Sequence, residues 1–501
     1  MRCFHAARET LAAKGVFVYT AGTMKLHRLS PLLAELLLSI CGVTFAADAK
    51  PNIIFFLADD LGWTDLGCFG SKFYETPHID QLCAQGMKFA QAYSACTVCS
   101  PTRAAVMTGK YPARLHITDW IAGHERPFAK LKIPDWRKQL PLEETTIAEA
   151  LKACGYATGI FGKWHLGNEE FFPDKQGFDV NFGGCASGAL RSYFPPYGVP
   201  AIKDEHPGEM LSDRLTHEAL KFIEANKARP FFIYFPHYAV HTPLGGKPEV
   251  IEKYKKKDAT GLQHDNPVYA ALIESVDDSV GRVMAKLEEL KLDRNTIVFF
   301  TSDNGGLSGI LGPNGWRKCS TDNSPLRWGK GSAYEGGVRV PLIVKWPGVT
   351  KAGSVCDKLV ISTDYFPTMA EMASADGSPA VDGESIVPLL KGGGSFKRDA
   401  IYWHYPHYHP GSATPYGAVR AGDWKLIEFF EDNHVELYNL KNDIGEKNDL
   451  AQKQPEKAAQ LCEHLHKWRE SVGAQLPTPN PDYDPMKNQA QGAKKGKGKR
   501  K

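Results

Sequence analysis

Three short apolar runs constrain this chain most: residues 52–57 (NIIFFL), 231–235 (FFIYF) and 296–301 (TIVFFT). Each is continuous rather than alternating, so the strand it forms must be covered on both faces. Between them lie helical patterns. Tyr269, Leu272, Val276, Val280, Val283, Leu287 and Leu290 recur at spacings of three and four, which predicts one long amphipathic helix. Thr146 and Glu149 form a capping box ahead of a helix over 150–154, and Gly155 ends it. Buried strands alternating with helices predict an α/β fold, a large mostly parallel sheet sandwiched by helices.

The texture changes after about residue 392, beyond the flexible stretch Lys391-Gly392-Gly393-Gly394-Ser395. Residues 418–430 and 435–440 read as antiparallel strands and 455–472 as a helix, so 392–474 is expected to be a smaller C-terminal α+β antiparallel subdomain following a large N-terminal domain over 48–391. From Gln475 the chain is rich in Pro, Asn and Lys and ends KKGKGKRK, which predicts a disordered basic tail over 475–501.

Charge is unevenly spread. Of the net +3, residues 1–47 contribute +3 and the last eight residues +6, which leaves the body at −6. An acidic body between basic ends is not the footprint of a nucleic-acid binder. The N-terminal excess belongs to an export pattern: Lys25 and Arg28, an apolar stretch over 32–45 broken only by Glu35, then Thr44-Phe45-Ala46 as a cleavage site. Residues 1–47 are therefore expected to be a leader, with Met24 as the true start. The mature protein is expected to be secreted or periplasmic. The apolar run is too short for a stable membrane span. Eleven cysteines are too few for a disulfide scaffold at this length.

Two acidic pairs occupy matching places. Asp59-Asp60 follows the first apolar run and Asp303-Asn304 follows the third. Ligands of an open parallel sheet bind beyond the carboxyl ends of its strands. Four oxygen donors meeting there suit a hard divalent cation and not zinc, although either pair alone could simply cap a turn. A third segment, Cys99-Ser100-Pro101-Thr102-Arg103, places a cysteine at the mouth of a helix whose first turn Pro101 favours. Free N–H groups and the positive dipole end make that mouth hospitable to an anion, and Arg103 is one turn away. On these residues alone, a buried structural thiol remains open.

Cys99 to Arg103, with Met107-Thr108-Gly109, resembles the signature of the type I sulfatases. Phe161-Gly162-Lys163-Trp164-His165-Leu166-Gly167 is similar to the second signature of that family. His241-Thr242-Pro243, Ser302-Asp303-Asn304-Gly305-Gly306 and Gly329-Lys330-Gly331 follow in the family's order. Thr102 stands where the family more often has Ser. The resemblance spans about residues 50–390 and implies an alkaline phosphatase-like fold. It implies that a formylglycine-generating enzyme, or an equivalent, oxidises Cys99 to formylglycine, whose hydrate supplies the nucleophile. Asp59, Asp60, Asp303 and Asn304 would then hold calcium. Arg103 and Lys163 would offset charge on sulfate and on the hydrate. His165 would deprotonate the second hydroxyl, and His241 and Lys330 would bind sulfate and protonate the leaving oxygen.

The implied activity is sulfuric ester hydrolysis on a sulfated saccharide or an aryl sulfate. Two alternatives remain: a phosphate or phosphonate ester hydrolase on the same scaffold, and a non-catalytic sulfated-glycan binder. In the subdomain, residues 402–409 (YWHYPHYH) are a candidate sugar wall, with Trp403, His404 and His407 offering stacking and hydroxyl partners, unless the string packs the two domains together. Trp316, Arg317 and Trp328 are candidates for the mouth of the site.

Overall fold

A computed structural model describes residues 50–488 except 204–205, 313–314, 319, 376–378, 394–395 and 411–413, and it describes no side chains over 310–319. The predicted leader, Trp316, Arg317 and the end of the basic tail therefore lie outside what is described.

The three apolar runs are neighbouring strands. The main sheet has eight strands: β1 (Asn52–Ala58), β2 (Met87–Phe89), β3 (Ala157–Phe161), β4 (Val180–Phe182), β5 (Phe231–Pro236), β6 (Thr296–Ser302), β7 (Leu342–Lys345) and β8 (Ser354–Cys356). Their order is β8-β2-β7-β6-β1-β5-β3-β4. The five strands from β6 to β4 run parallel, and β7 runs antiparallel to both β6 and β2.

Every residue of β1 is buried, as the absence of alternation demands. Ile54, Phe56 and Ala58 face one helical layer and pack in a cluster with Leu215 and Ala219 of one helix (Leu211–Asn226) and Leu272, Val276 and Val280 of another (Pro267–Glu289). Ile53, Phe55 and Leu57 face the other layer, with Ala104 and Met107 of a third helix (Cys99–Thr108) and Phe366 of a fourth (Tyr365–Met372). Each buried aliphatic or aromatic side chain contributes about 1.5–3 kcal/mol. The predicted long helix is the one over Pro267–Glu289, capped by the Asn266 side chain. The capping box forms as read: Thr146 accepts from the Glu149 N–H at the head of a helix over Ile147–Ala153.

The C-terminal part is a four-stranded antiparallel sheet, β9 (Ala400–Tyr405), β10 (Tyr416–Ala421), β11 (Trp424–Phe429) and β12 (Val435–Asn439), with a helix over Pro455–Ser471 packed on it. The stretch expected as one strand over 418–430 is a hairpin, turned at Gly422 with φ 55°. The expected disordered tail is corrected in its first part. Thr478–Pro479 pairs with Leu131–Lys132, and the Asn480 amide donates to the carbonyls of Pro127 and Ala129, so this stretch is tied back onto the catalytic domain. Among the described residues, no helix is long and apolar enough to cross a membrane.

Candidate active site

The site forms where the sheet ends. Asp59 and Asp60 follow β1, Lys163 and His165 follow β3, His241 follows β5, and Asp303 and Asn304 follow β6, so four adjacent strand ends converge. Cys99 opens the helix over Cys99–Thr108, and Lys330 comes from the loop before β7. Two of these residues, Asp60 (φ 65°) and His165 (φ 60°), hold left-handed backbone that non-glycine residues rarely adopt, as strained sites do. Gly162 precedes Lys163 with φ 132°. A Cβ there would lie 2.0 Å from the Pro236 carbonyl oxygen, so only glycine lets β3 and β5 approach this closely at the site.

Three buried cations meet three buried carboxylates. Lys163 Nζ lies 2.6 Å from Asp59 Oδ2, and Lys330 Nζ lies 2.6 Å from Asp60 Oδ1. Arg103 donates from Nε (3.0 Å) and Nη2 (2.8 Å) to Asp303 Oδ2, and from Nη1 to the Lys163 carbonyl at 3.0 Å. Burial opposes ionisation of Asp59 and Asp60, but the facing cations more than offset it and hold both below the ordinary carboxylate range. Cys99 sits among them, 2% exposed, with Lys330 Nζ at 3.3 Å from Sγ and Asp59 Oδ1 at 3.5 Å. Burial pushes its thiol up to about 12 although Lys163 and Lys330 pull the other way, so the unmodified side chain is a neutral thiol.

The two histidines are held in defined tautomers by carbonyls, which only accept. His165 Nε2 donates to the Ile121 carbonyl, leaving Nδ1 as the lone-pair nitrogen, buried and without a hydrogen-bond partner. Burial and the neighbouring Lys163 keep this ring neutral. His241 Nδ1 donates to the Thr242 carbonyl at 2.6 Å, and its Nε2 lies 3.7 Å from Asp60 Oδ2. The Ile121 carbonyl that fixes His165 was not legible from sequence. Its own N–H is held by Ser100 Oγ at 3.1 Å, next to Cys99.

The donor set fits a divalent cation. Asp60 Oδ2 and Asn304 Oδ1 are buried with no hydrogen-bond partner, and ligand atoms of Asp59, Asp60, Cys99 and His241 all lie within 4.8 Å of one another. Oxygen dominates, which favours a hard ion. Asp303 spends one oxygen on Arg103 and accepts the Asp60 N–H with the other at 3.2 Å. A carboxylate oxygen keeps a second lone pair in such a contact.

The sugar wall is corrected. Trp403 is 2% exposed and donates to the Ser94 carbonyl at 2.8 Å. His404 is 4% exposed and its Nε2 meets the Gln475 carbonyl oxygen at 2.8 Å, while His407 is 1% exposed and bonded to Thr118 Oγ1. Trp403 and His407 join the two parts of the chain, His404 is tied to the segment after the last helix, and none has a face to offer a ligand. Thr102, the departure from the usual Ser, uses its hydroxyl to bond the Cys96 carbonyl and N–H, both at 3.1 Å. A serine could make the same pair, so the substitution leaves the turn before Cys99 intact.

Comparison with known proteins decides the family. The family model described as "Sulfatase" matches residues 51–375. The chain belongs to the sulfatase family. A second model, "N-sulphoglucosamine sulphohydrolase, C-terminal", matches residues 327–473. This sulfatase is 35% identical over 492 residues to a protein named "Sulfatase" from Formosa agariphila, covering 82% of this chain and 86% of that one. It is 35% identical over 424 residues to the N-acetylgalactosamine-6-sulfatase of Canis lupus familiaris, covering 79% and 76%. Among solved structures, Ps i-CgsB in complex with k-i-k-neocarrahexaose superposes with a TM-score of 0.70 at 29% identity, over 89% of this chain and 98% of that one. The protein is thus an enzyme that hydrolyses sulfate esters on an α/β sulfatase fold.

Proposed function

We propose that this sulfatase removes sulfate from a sulfated carbohydrate, with Cys99 as formylglycine and calcium held by Asp59, Asp60, Asp303 and Asn304. One observation carries the reading: three buried carboxylates paired with three buried cations around Cys99, beside the two unpartnered oxygens of Asp60 and Asn304. A dication added to that balanced set leaves two positive charges in excess at a dry site, which favours an anionic substrate. Calcium in place would polarise the sulfate oxygens. A hydrated aldehyde at position 99 would supply geminal hydroxyls, one to attack sulfur and one whose deprotonation expels sulfate.

The chain's own residues would serve both ends of that reaction. Lys163 and Arg103 offset developing charge on the sulfate oxygens and the hydrate. His165, its proton fixed on Nε2 by the Ile121 carbonyl, offers Nδ1 as base for the expulsion. Lys330, already in reach of position 99, and His241 bind sulfate and return a proton to the leaving oxygen. The carbohydrate assignment is supported by the likeness to an N-acetylgalactosamine-6-sulfatase and to Ps i-CgsB, whose structure holds k-i-k-neocarrahexaose. Export is supported by the N-terminal sequence pattern, and maturation by a formylglycine-generating enzyme by the Cys99–Arg103 motif. The test is sulfate release from a panel of sulfated mono- and oligosaccharides by protein co-produced with the maturing enzyme. Release that requires calcium is expected; full activity in chelated buffer with zinc contradicts the metal assignment.

A further inference from the structure

The residues proposed to bind sulfate are buried apart from the half-buried His241, so selection of the rest of the substrate needs a second layer around them. Three half-buried side chains lie next to them: Trp120, His124 and His409. The Trp120 ring centroid lies 6.5 Å from that of His165. Trp120 Nε1 donates to His124 Nδ1 at 2.9 Å. The His124 and His409 rings meet edge to face at 5.3 Å. His409 in turn lies against Gly331, the residue after Lys330. A Cβ at Gly331, where φ is +78°, would come within 1.7 Å of His409 Nδ1, so the glycine is what admits the imidazole beside Lys330. The three side chains thus form a continuous row from the proposed base, His165, to the proposed leaving-group partner, Lys330.

We propose that Trp120, His124 and His409 form the leaving-group subsite, and that it takes an uncharged, hydroxyl-bearing ring such as a pyranose carrying the sulfate. The proposal rests on the sulfate-ester reading of the site and deepens it.

The chemistry of the row favours that ligand. The indole offers an apolar face to the C–H side of a sugar ring. Because His124 Nδ1 accepts from Trp120, its proton sits on Nε2, which makes that nitrogen a donor. Burial, with His124 and Lys330 nearby, keeps the His409 ring neutral. Neutral imidazoles match hydroxyls, which both donate and accept. They offer no charge to a second sulfate or a carboxylate at this place. The row also explains why the aromatic string over 402–409 carries a binding signal at all: Trp403, His404 and His407 turn into the fold, and His409, at its end, reaches the site.

The experiment compares kcat/KM on two substrates, 4-nitrophenyl sulfate and the best substrate among galactose and N-acetylhexosamine monosulfates, for the wild type, Trp120→Ala and His409→Gln. The expected result is a fall of roughly 10–100-fold in the ratio of sugar to aryl activity in each variant, as loss of one packing or hydroxyl contact produces. The fall should lie mainly in KM, since these contacts bind ground and transition states alike. Equal losses on both substrates overturn the subsite and mark the row as structural. So does a wild type that prefers a steroid sulfate or a ring with a second charge over every neutral monosulfate. A wild type that releases sulfate from nothing overturns the sulfatase chemistry itself and the subsite with it. If Trp120→Ala fails to fold, Trp120→Phe and His409→Gln carry the comparison, the phenyl ring being expected to retain part of the stacking.

Discussion

Arg103 offers the sharpest test of the buried charge network. It is fully buried, sends two N–H groups to Asp303 and one to the Lys163 carbonyl, and lies 3.8 Å from Asp59. Arg103→Lys keeps the charge but cannot reproduce the fork, so it forfeits at least one charge-assisted hydrogen bond, each worth about 1.5–3 kcal/mol. Arg103→Met removes the charge and leaves Asp303 buried beside Asp59 and Asp60 without its partner, a change that costs about 3–5 kcal/mol. The order of stability is therefore wild type, then Lys, then Met, with Met about 2 kcal/mol below Lys. Chemical denaturation at fixed calcium, followed by tryptophan fluorescence, reads this order. Turnover should fall in both variants, because Arg103 also orients the backbone of Lys163. If Arg103→Met is as stable as Arg103→Lys, the carboxylates are not held by compensating charge and the electrostatic description of the site is wrong.

Asp303→Ala should abolish most of the thermal stabilisation that added calcium gives the wild type, by the linkage of binding to folding; calcium raising both melting temperatures equally contradicts its place among the ligands. Asp119 is buried, accepts from the Tyr405 hydroxyl at 2.7 Å and the Trp120 N–H, and faces His407 Nδ1 at 4.0 Å. Burial pushes its carboxyl up to about 7. The folded protein therefore holds a proton there that the unfolded chain loses near pH 4, and this group lowers stability as pH rises from about 4 to about 7, by on the order of 4 kcal/mol in full. Asp119→Asn keeps the acceptor oxygen, so its melting temperature should exceed that of the wild type at pH 8 and the gap should close toward pH 4.5; a gap independent of pH refutes the assignment. Trp403→Ala should cost about 3–5 kcal/mol as a cavity in the joint between sheet and catalytic domain, and lower sugar and aryl sulfate turnover alike; selective loss on sugars would restore the wall.

The sheet was legible because its strands are buried on both faces, and continuous apolar runs such as NIIFFL and TIVFFT have few other ways to be satisfied. The oxygen donors were legible for a related reason: Asp59-Asp60 and Asp303-Asn304 directly follow those runs, and strand ends of a parallel sheet are where ligands gather. The string YWHYPHYH was misread because residue type does not report burial. Trp403 and His404 have the chemistry of a sugar wall, but it is spent inside the fold: Trp403 bonds the Ser94 carbonyl across the joint with the catalytic domain, and His404 meets the Gln475 carbonyl. Trp120 and His124 escaped notice for the opposite reason. They sit in irregular chain with no periodicity, and only the tertiary fold brings them beside His409. Pairing of Thr478 with Lys132 and Pro479 with Leu131 joins segments 346 and 348 residues apart, and no local pattern announces such a contact.

Cys99, acting as formylglycine, is the proposed reacting position. Mass spectrometry of the peptide containing Cys99, taken from a preparation whose specific activity has been measured, tests it most directly. The aldehyde at position 99, with loss of sulfur and gain of oxygen, is expected in proportion to activity across preparations of differing maturation. A fully active preparation in which position 99 is an intact cysteine thiol contradicts it.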